Sequence, residues 1–173
     1  MPLQMKGNVM FCSCRPLLLC IISIILSAGP VMAAPSGTIT WIYDGDTIKV
    51  KNIGIVRLIG VDCPEKKENS RDRKFIRLGC KNRRVLRRSA RDTLKTFIRR
   101  YKGQRVRVEV GGDKRDHYGR VLGYVWLPNG TMLNRLLLKE GRAMVYRRFD
   151  FKHKREFLRL ERQARRHHVG LWH

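Results

Sequence analysis

Two carboxylates stand three positions apart within residues 57–65, Asp62 before Pro64 and Glu65 directly after it. Proline fixes its own φ and restricts the residue before it, so this turn is stiff and holds the two acids in fixed directions. Carboxylates gathered in this way repel one another unless a cation or a proton neutralises them. The segment therefore predicts a cation-binding site.

A second acidic turn, residues 44–47, carries Asp44 and Asp46 on either side of a glycine. Asp-Gly is common in hairpin turns, so this segment alone is explained as a turn and nothing more. The chain has only 14 acidic residues, and four of them at two turns favour a site for a hard cation with oxygen ligands. The alternative is simple pairing with the abundant Lys and Arg side chains.

Two arginines accompany the acidic turns. Arg57 opens the segment 57–65, and Arg120 ends a third charged segment, residues 116–120. A guanidinium presents a fork of N–H donors that suits bidentate contacts to phosphate. Two arginines and a divalent cation together make a site suited to a phosphodiester.

The composition points to an acidic partner. Lys and Arg number 38 in 173 residues, which gives a formal net charge of +24. At 43% hydrophobic residues the chain can bury a core, which excludes disorder throughout. A surface this cationic attracts polyanions, so nucleic acid, anionic membrane and acidic polysaccharide are the candidate partners.

The N-terminus predicts a cleaved secretory signal peptide over residues 1–33. Lys6 and Arg15 precede an apolar run at residues 17–26, and a small-x-small site ends at Ala33, with Ala34 as the second choice for cleavage. The alternative is an uncleaved anchor, but the run is shorter than the roughly 20 residues of a spanning helix. We expect a secreted or periplasmic protein without stable membrane insertion.

Cleavage would leave a single cysteine pair, Cys63 and Cys80, and a net charge of +22 on residues 34–173. In an oxidising compartment this pair is a candidate disulfide. The alternative is two unrelated buried thiols.

Hydrophobic periodicity predicts one α+β domain over residues 34–173, with a mostly β core. Five β-rich runs separated by turn residues predict a small closed barrel with strands at residues 39–43, 47–51, 55–59, 105–110 and 121–126. Three- and four-residue spacing predicts three helices, at residues 85–101, 133–140 and 151–168.

The three charged segments, in this order, make the chain resemble the staphylococcal (micrococcal) nuclease family of thermonuclease-like proteins. Supporting features are Leu133 and Asn134 at the start of the middle helix and Gly170–Trp172 at the tail. The resemblance covers nearly all of residues 39–172. It implies an OB-fold barrel and calcium-dependent hydrolysis of DNA and RNA with little sequence preference, leaving 3′-phosphate ends.

The resemblance also implies a set of calcium ligands. Asp46 and Asp62 would bind Ca²⁺ through their carboxylates and Cys63 through its backbone carbonyl, with Asp44 in the outer shell. Cys63 stands where the family often has Thr, and a disulfide to Cys80 would tether the calcium loop.

Further roles carried over by the resemblance concern water and substrate. Glu65 would hold or deprotonate the attacking water. Arg57 and Arg120 would bind the scissile phosphate and stabilise the charge developing on its oxygens. Tyr118 and His117 would line the nucleotide site.

Other interpretations stay open at this level. Residues 66–74 are more basic than the family leads one to expect, and they either extend a nucleic-acid track or form a solvated loop. A non-catalytic basic OB-fold protein would bind nucleic acid without cutting it, although pure binding gives no reason to gather carboxylates beside a polyanion. A cationic protein acting on membranes or glycans ranks last, because the apolar residues follow core spacing. We expect a monomer acting on DNA and RNA.

Overall fold

The structure, a computed structural model, describes residues 34–173. The predicted signal peptide, residues 1–33, lies outside the described residues, so its cleavage stays a prediction. Within residues 34–173 no helix combines the length and the apolarity needed to cross a membrane.

Short strands rich in β-branched residues form the centre of the fold. Seven occur in the described part of the chain: β1 (Ser36–Ile42), β2 (Thr47–Val50), β3 (Gly54–Leu58), β4 (Val61–Asp62), β5 (Arg105–Arg115), β6 (Val121–Trp126) and β7 (Met144–Val145). The order β1-β2-β3-β6-β5 is hydrogen-bonded throughout, and β5 pairs back with β1, which closes a barrel. The predicted α+β class and its five-stranded sheet are confirmed, and the two-residue pair β4–β7 was not predicted.

Alternation along the barrel strands separates an inner from an outer face. Inward side chains such as Ile48, Val56 and Leu58 are fully buried. Arg57 lies between two of these in β3, so it points to the outer face, where it is only partly exposed. The pleat of β3 therefore delivers one arginine to the barrel surface.

The described residues contain four α-helices, one more than predicted: α1 (Asp72–Arg77), α2 (Arg83–Tyr101), α3 (Leu133–Lys139) and α4 (Lys154–Arg166). A 3-10 turn follows at Gly170–Trp172. The missed helix, α1, has six residues and no side-chain N-cap hydrogen bond, so it carries little local signal. Its Phe75 is buried in a small second core beside the barrel, and tertiary packing accounts for the helix.

Asn134 fastens α3 to the barrel where β3 ends. Its side chain is fully buried, accepts from the Val125 N–H at 3.1 Å and donates to the Ile59 carbonyl at 2.9 Å. A buried amide is stable only with such partners. The contacts fix the chain just after Arg57, at the entry to the second acidic turn.

Candidate active site

The acidic turn between β1 and β2 is held by its own side chains. Asp44 Oδ1 accepts from the Asp46 N–H at 2.9 Å, an Asx turn, and Asp46 Oδ1 accepts from the Thr47 hydroxyl at 3.1 Å. Burial, together with the neighbouring charge of Asp46, raises the pKa of Asp44 to about 7. This turn therefore holds one carboxylate that titrates near neutrality.

A hydrogen bond joins the two acidic turns. The backbone N–H of Cys63 donates to Asp46 Oδ2 at 2.7 Å, and both residues are buried. A Cβ at Gly45 would lie 2.7 Å from Cys63 Sγ, so the close approach of the turns requires glycine at this position. The structure thus brings together the two segments that the sequence placed in one cation site.

Arg57 lies between the acidic turns and contacts both. Its guanidinium forms an ion pair with Asp46 Oδ1 and lies 3.4 Å from Asp62 Oδ1. Burial disfavours the charged guanidinium, but the two carboxylates outweigh it and raise the pKa of Arg57 above its usual value. Burial also raises the pKa of Asp46, but Arg57 and the Cys63 N–H outweigh it, so the pKa of Asp46 is lowered.

Asp62 is the most enclosed acid of the second turn, with 1% of its side chain exposed. Burial and the charge of Asp46 raise the pKa of Asp62, and Arg71 and Arg57 offset part of this rise. Its Oδ1 is held by both arginines, whereas Oδ2 is buried with no hydrogen-bond partner among residues 34–173. Burying a carboxylate oxygen without a partner is costly, so this atom is a candidate oxygen donor to a cation.

Arg71 is a site residue that sequence reasoning missed. Its guanidinium lies 3.0 Å from Asp62 Oδ1 and also pairs with Glu65 Oε1. It stands at the N-cap of α1, within the basic stretch 66–74 that the sequence left as a nucleic-acid track or a solvated loop. No spacing distinguished Arg71 from the other basic residues there, since its role depends on the turn back towards Asp62.

Arg120 pairs with the acid of its own segment, Asp116. Its Nε and Nη2 pair with Asp116 Oδ2 at 2.8 and 2.7 Å, and its guanidinium lies 5.3 Å from the Tyr118 ring centre. Strand register places Arg120 on the same outer face of the barrel as Arg57. Arg57 pairs with Leu122 of β6, and Arg120, two positions before Leu122, points to the same side as Leu122. Tyr118 is highly exposed, and its ring lies 3.8 Å from that of His117.

The candidate disulfide is not formed in the structure. Cys63 and Cys80 are both free thiols and both buried. Cys63 packs in the barrel core against the Gly45 turn, whereas Cys80 belongs to the second core and contacts the Asn82 carbonyl at 3.8 Å. Separate packing keeps the sulfurs apart, and burial raises the pKa of both thiols.

The acidic turns supply the oxygen chemistry that a hard cation prefers. Within residues 34–173 no three side chains of His, Cys, Asp and Glu are placed together for metal binding. The pair Asp46 and Asp62 remains, in which Asp62 Oδ2 has no hydrogen-bond partner in the described part of the chain, and the carbonyl of Cys63 is a further oxygen donor. Oxygen donors of this kind suit a hard cation, which would share the carboxylates with Arg57 and Arg71.

Comparison with known proteins finds a matching family and relatives named as nucleases. A family model described as "Staphylococcal nuclease homologue" matches residues 55–173, a range that begins after the first acidic turn. A thermonuclease of Staphylococcus hyicus is 34% identical over 137 residues, covering 76% of this chain and 72% of that protein. An uncharacterized endonuclease of Escherichia coli is 30% identical over 147 residues, with 83% and 81% covered. A micrococcal nuclease of Shigella flexneri is 29% identical over 160 residues, with 86% and 80% covered.

Proposed function

Because the chain belongs to the staphylococcal nuclease family, we propose that it is a calcium-dependent endonuclease that hydrolyses DNA and RNA with little sequence specificity. The observation that carries the proposal is the union of the two acidic turns through Cys63 and Asp46, with Arg57 in contact with both. Carboxylates and a guanidinium held together can act on a phosphodiester during its hydrolysis. Binding of nucleic acid without hydrolysis would need only the basic residues.

Arg57 and Arg120 bind the scissile phosphate in this proposal. Both lie on the outer face of the barrel, on the neighbouring strand β3 and just before the neighbouring strand β6. Their donors face the charge that develops on the phosphate oxygens during attack. Removing one such fixed donor costs on the order of a hundredfold in rate.

Glu65 takes the proton of the attacking water. Its side chain is about one-third exposed, so water reaches it, and Arg71 fixes its direction. The water oxygen forms the new bond to phosphorus while the bond to the 5′ oxygen breaks, and the 5′ oxygen takes a proton from solvent, leaving a 3′-phosphate and a 5′-hydroxyl. General base catalysis of this kind contributes roughly 10²- to 10⁴-fold.

Asp46, Asp62 and the carbonyl of Cys63 would hold the calcium ion, with Asp44 in the outer shell. Bound calcium supplies positive charge that offsets the charge on the phosphate. Asp44 keeps Asp46 in place through the hydrogen bond to its backbone N–H. The Oδ2 of Asp62, unpaired among the described residues, supports this assignment, because a buried carboxylate oxygen without a partner is available to a cation.

The net charge of +22 on residues 34–173 concentrates the polyanionic substrate around a monomeric enzyme. Cleavage of the signal peptide would release the enzyme to the periplasm or the medium. Extracellular and periplasmic fractions of cells expressing the full chain test this location.

Digestion of plasmid DNA and a mixed RNA by the purified protein tests the function. We expect cutting with Ca²⁺, none with chelator, and severe loss in folded Glu65→Gln and Arg57→Ala variants. Glu68→Gln is the matched control, because Glu68 is exposed and only three positions from Glu65. Tight binding without cleavage in any metal would overturn the proposal and leave a basic nucleic-acid-binding protein.

A further inference from the structure

Two large aromatic side chains are exposed beside the first acidic turn. Trp41 exposes 50% of its surface and Tyr43 39%, although other aromatic residues such as Phe97 and Phe157 are buried. Tyr43 directly precedes Asp44, and its N–H donates to the Thr47 carbonyl at 3.0 Å. Aromatic rings exposed at the edge of a site commonly mark a binding surface.

Strand register places these rings on the same outer face as the phosphate-binding arginine. Tyr43 lies across from Thr47, which pairs with Arg57 on β3. Neighbouring strands are about 4.8 Å apart, so Tyr43 stands two strands, about 10 Å, from Arg57. This separation suits a nucleotide next to the scissile phosphate.

Cations accompany the rings. Lys102 Nζ lies 4.8 Å from the centre of the Trp41 ring, and Lys49 is the exposed register partner of Trp41 on β2. Neither lysine forms an ion pair with an acidic side chain of the described residues. Aromatic rings next to free cations match single-stranded nucleic acid, because bases stack on the rings while phosphates meet the charges.

We propose that Trp41 and Tyr43 form a base-stacking platform for unpaired nucleotides next to the scissile phosphate. The platform adds affinity for unpaired nucleotides, because the faces of paired bases in a duplex are already covered by their neighbours. It is distinct from Tyr118, which stands beside Arg120 at the start of β6. The inference rests on the proposed function, because that function places the scissile phosphate at Arg57.

Nucleic-acid affinity measured under conditions without cleavage tests the platform separately from the nuclease activity. Fluorescence anisotropy in chelator compares a labelled oligothymidylate with a duplex of the same length, using the full protein and Trp41→Ala or Tyr43→Ala. We expect each variant to bind the single strand roughly 5- to 150-fold more weakly. Duplex binding should change less than about twofold, and Trp41→Phe should restore most of the single-strand affinity.

Phe149→Ala is the matched control, since Phe149 is exposed, has Arg148 near its ring, and belongs to the segment between β7 and α4 rather than to the segment of Trp41 and Tyr43. Circular dichroism confirms that each variant is folded. Equal losses for single strand and duplex, or no loss in either variant, would overturn the platform. Absence of cleavage in calcium would refute the proposed function while leaving a selective single-strand loss as evidence for the platform.

Discussion

Replacing Arg71 with glutamine should tighten calcium binding. Arg71 pairs with Asp62 and Glu65, so its guanidinium occupies the positive side of the acidic turns. A cation that shares Asp62 must displace this arginine or compete with it. The substitution removes the competitor and keeps a polar side chain of similar reach.

The expected gain in calcium affinity follows from the strength of the Arg71–Asp62 contact and the exposure of the Arg71 side chain. A hydrogen bond to a charged group contributes about 1.5–3 kcal/mol, and 37% exposure of the Arg71 side chain reduces this to about 1–2 kcal/mol. We therefore expect calcium to bind roughly 5- to 30-fold more tightly.

Isothermal titration with calcium measures this change without reference to activity. Arg73→Gln is the control, because Arg73 is exposed two positions away and its loss changes the net charge equally. The reasoning fails if Arg71→Gln leaves the affinity unchanged, or if Arg73→Gln tightens it as much, since long-range charge would then explain the gain.

Three further results are expected. Arg57→Lys should lower kcat on the order of a hundredfold, because an ammonium cannot reproduce the guanidinium contacts to both acidic turns, as single-turnover rates would show. Gly45→Ala should destabilise the protein by about 1–3 kcal/mol in urea unfolding, since its Cβ would meet Cys63 Sγ. The pKa of Asp44 is raised from 3.8 to about 7, so the native state holds more protons than the unfolded state, and stability should fall from pH 4 to 7. Asp44→Asn should flatten that fall by up to about 1.4 kcal/mol per pH unit.

Each of these results has a clear contrary outcome. An active Arg57→Lys enzyme would show that charge alone suffices. An unchanged urea midpoint in Gly45→Ala would mean that the turns do not approach closely. A pH profile of Asp44→Asn identical to that of the parent would place the titration elsewhere.

The barrel strands and the acidic turns could be predicted because their signals are local. β-Branched runs with turn residues between them mark the strands, and Pro64 marks the stiff second turn. The structure then joins that turn to Asp46 through the Cys63 N–H. The predicted cation site therefore rests on residues that lie together, although the calcium itself stays a prediction.

Long-range contacts could not be predicted in the same way. Helix α1 forms because Phe75 packs into the second core. Val61 of β4 pairs with Val145 of β7, which is far away in the sequence. Arg71 acquires its role because the chain before α1 turns back towards Asp62 and Glu65. The cysteine pair left two alternatives open for a related reason, since composition gives the number of thiols and not the cores in which they are buried.

The most direct measurement is the single-turnover cleavage rate of a nucleic-acid strand by the parent protein and Glu65→Gln at saturating calcium. We expect the parent to cut, chelator to stop it, and the folded Glu65→Gln variant to lose roughly 10²- to 10⁴-fold in rate. Cutting that persists in chelator, or equal rates for parent and variant, would contradict hydrolysis by Glu65 at a calcium site between the acidic turns.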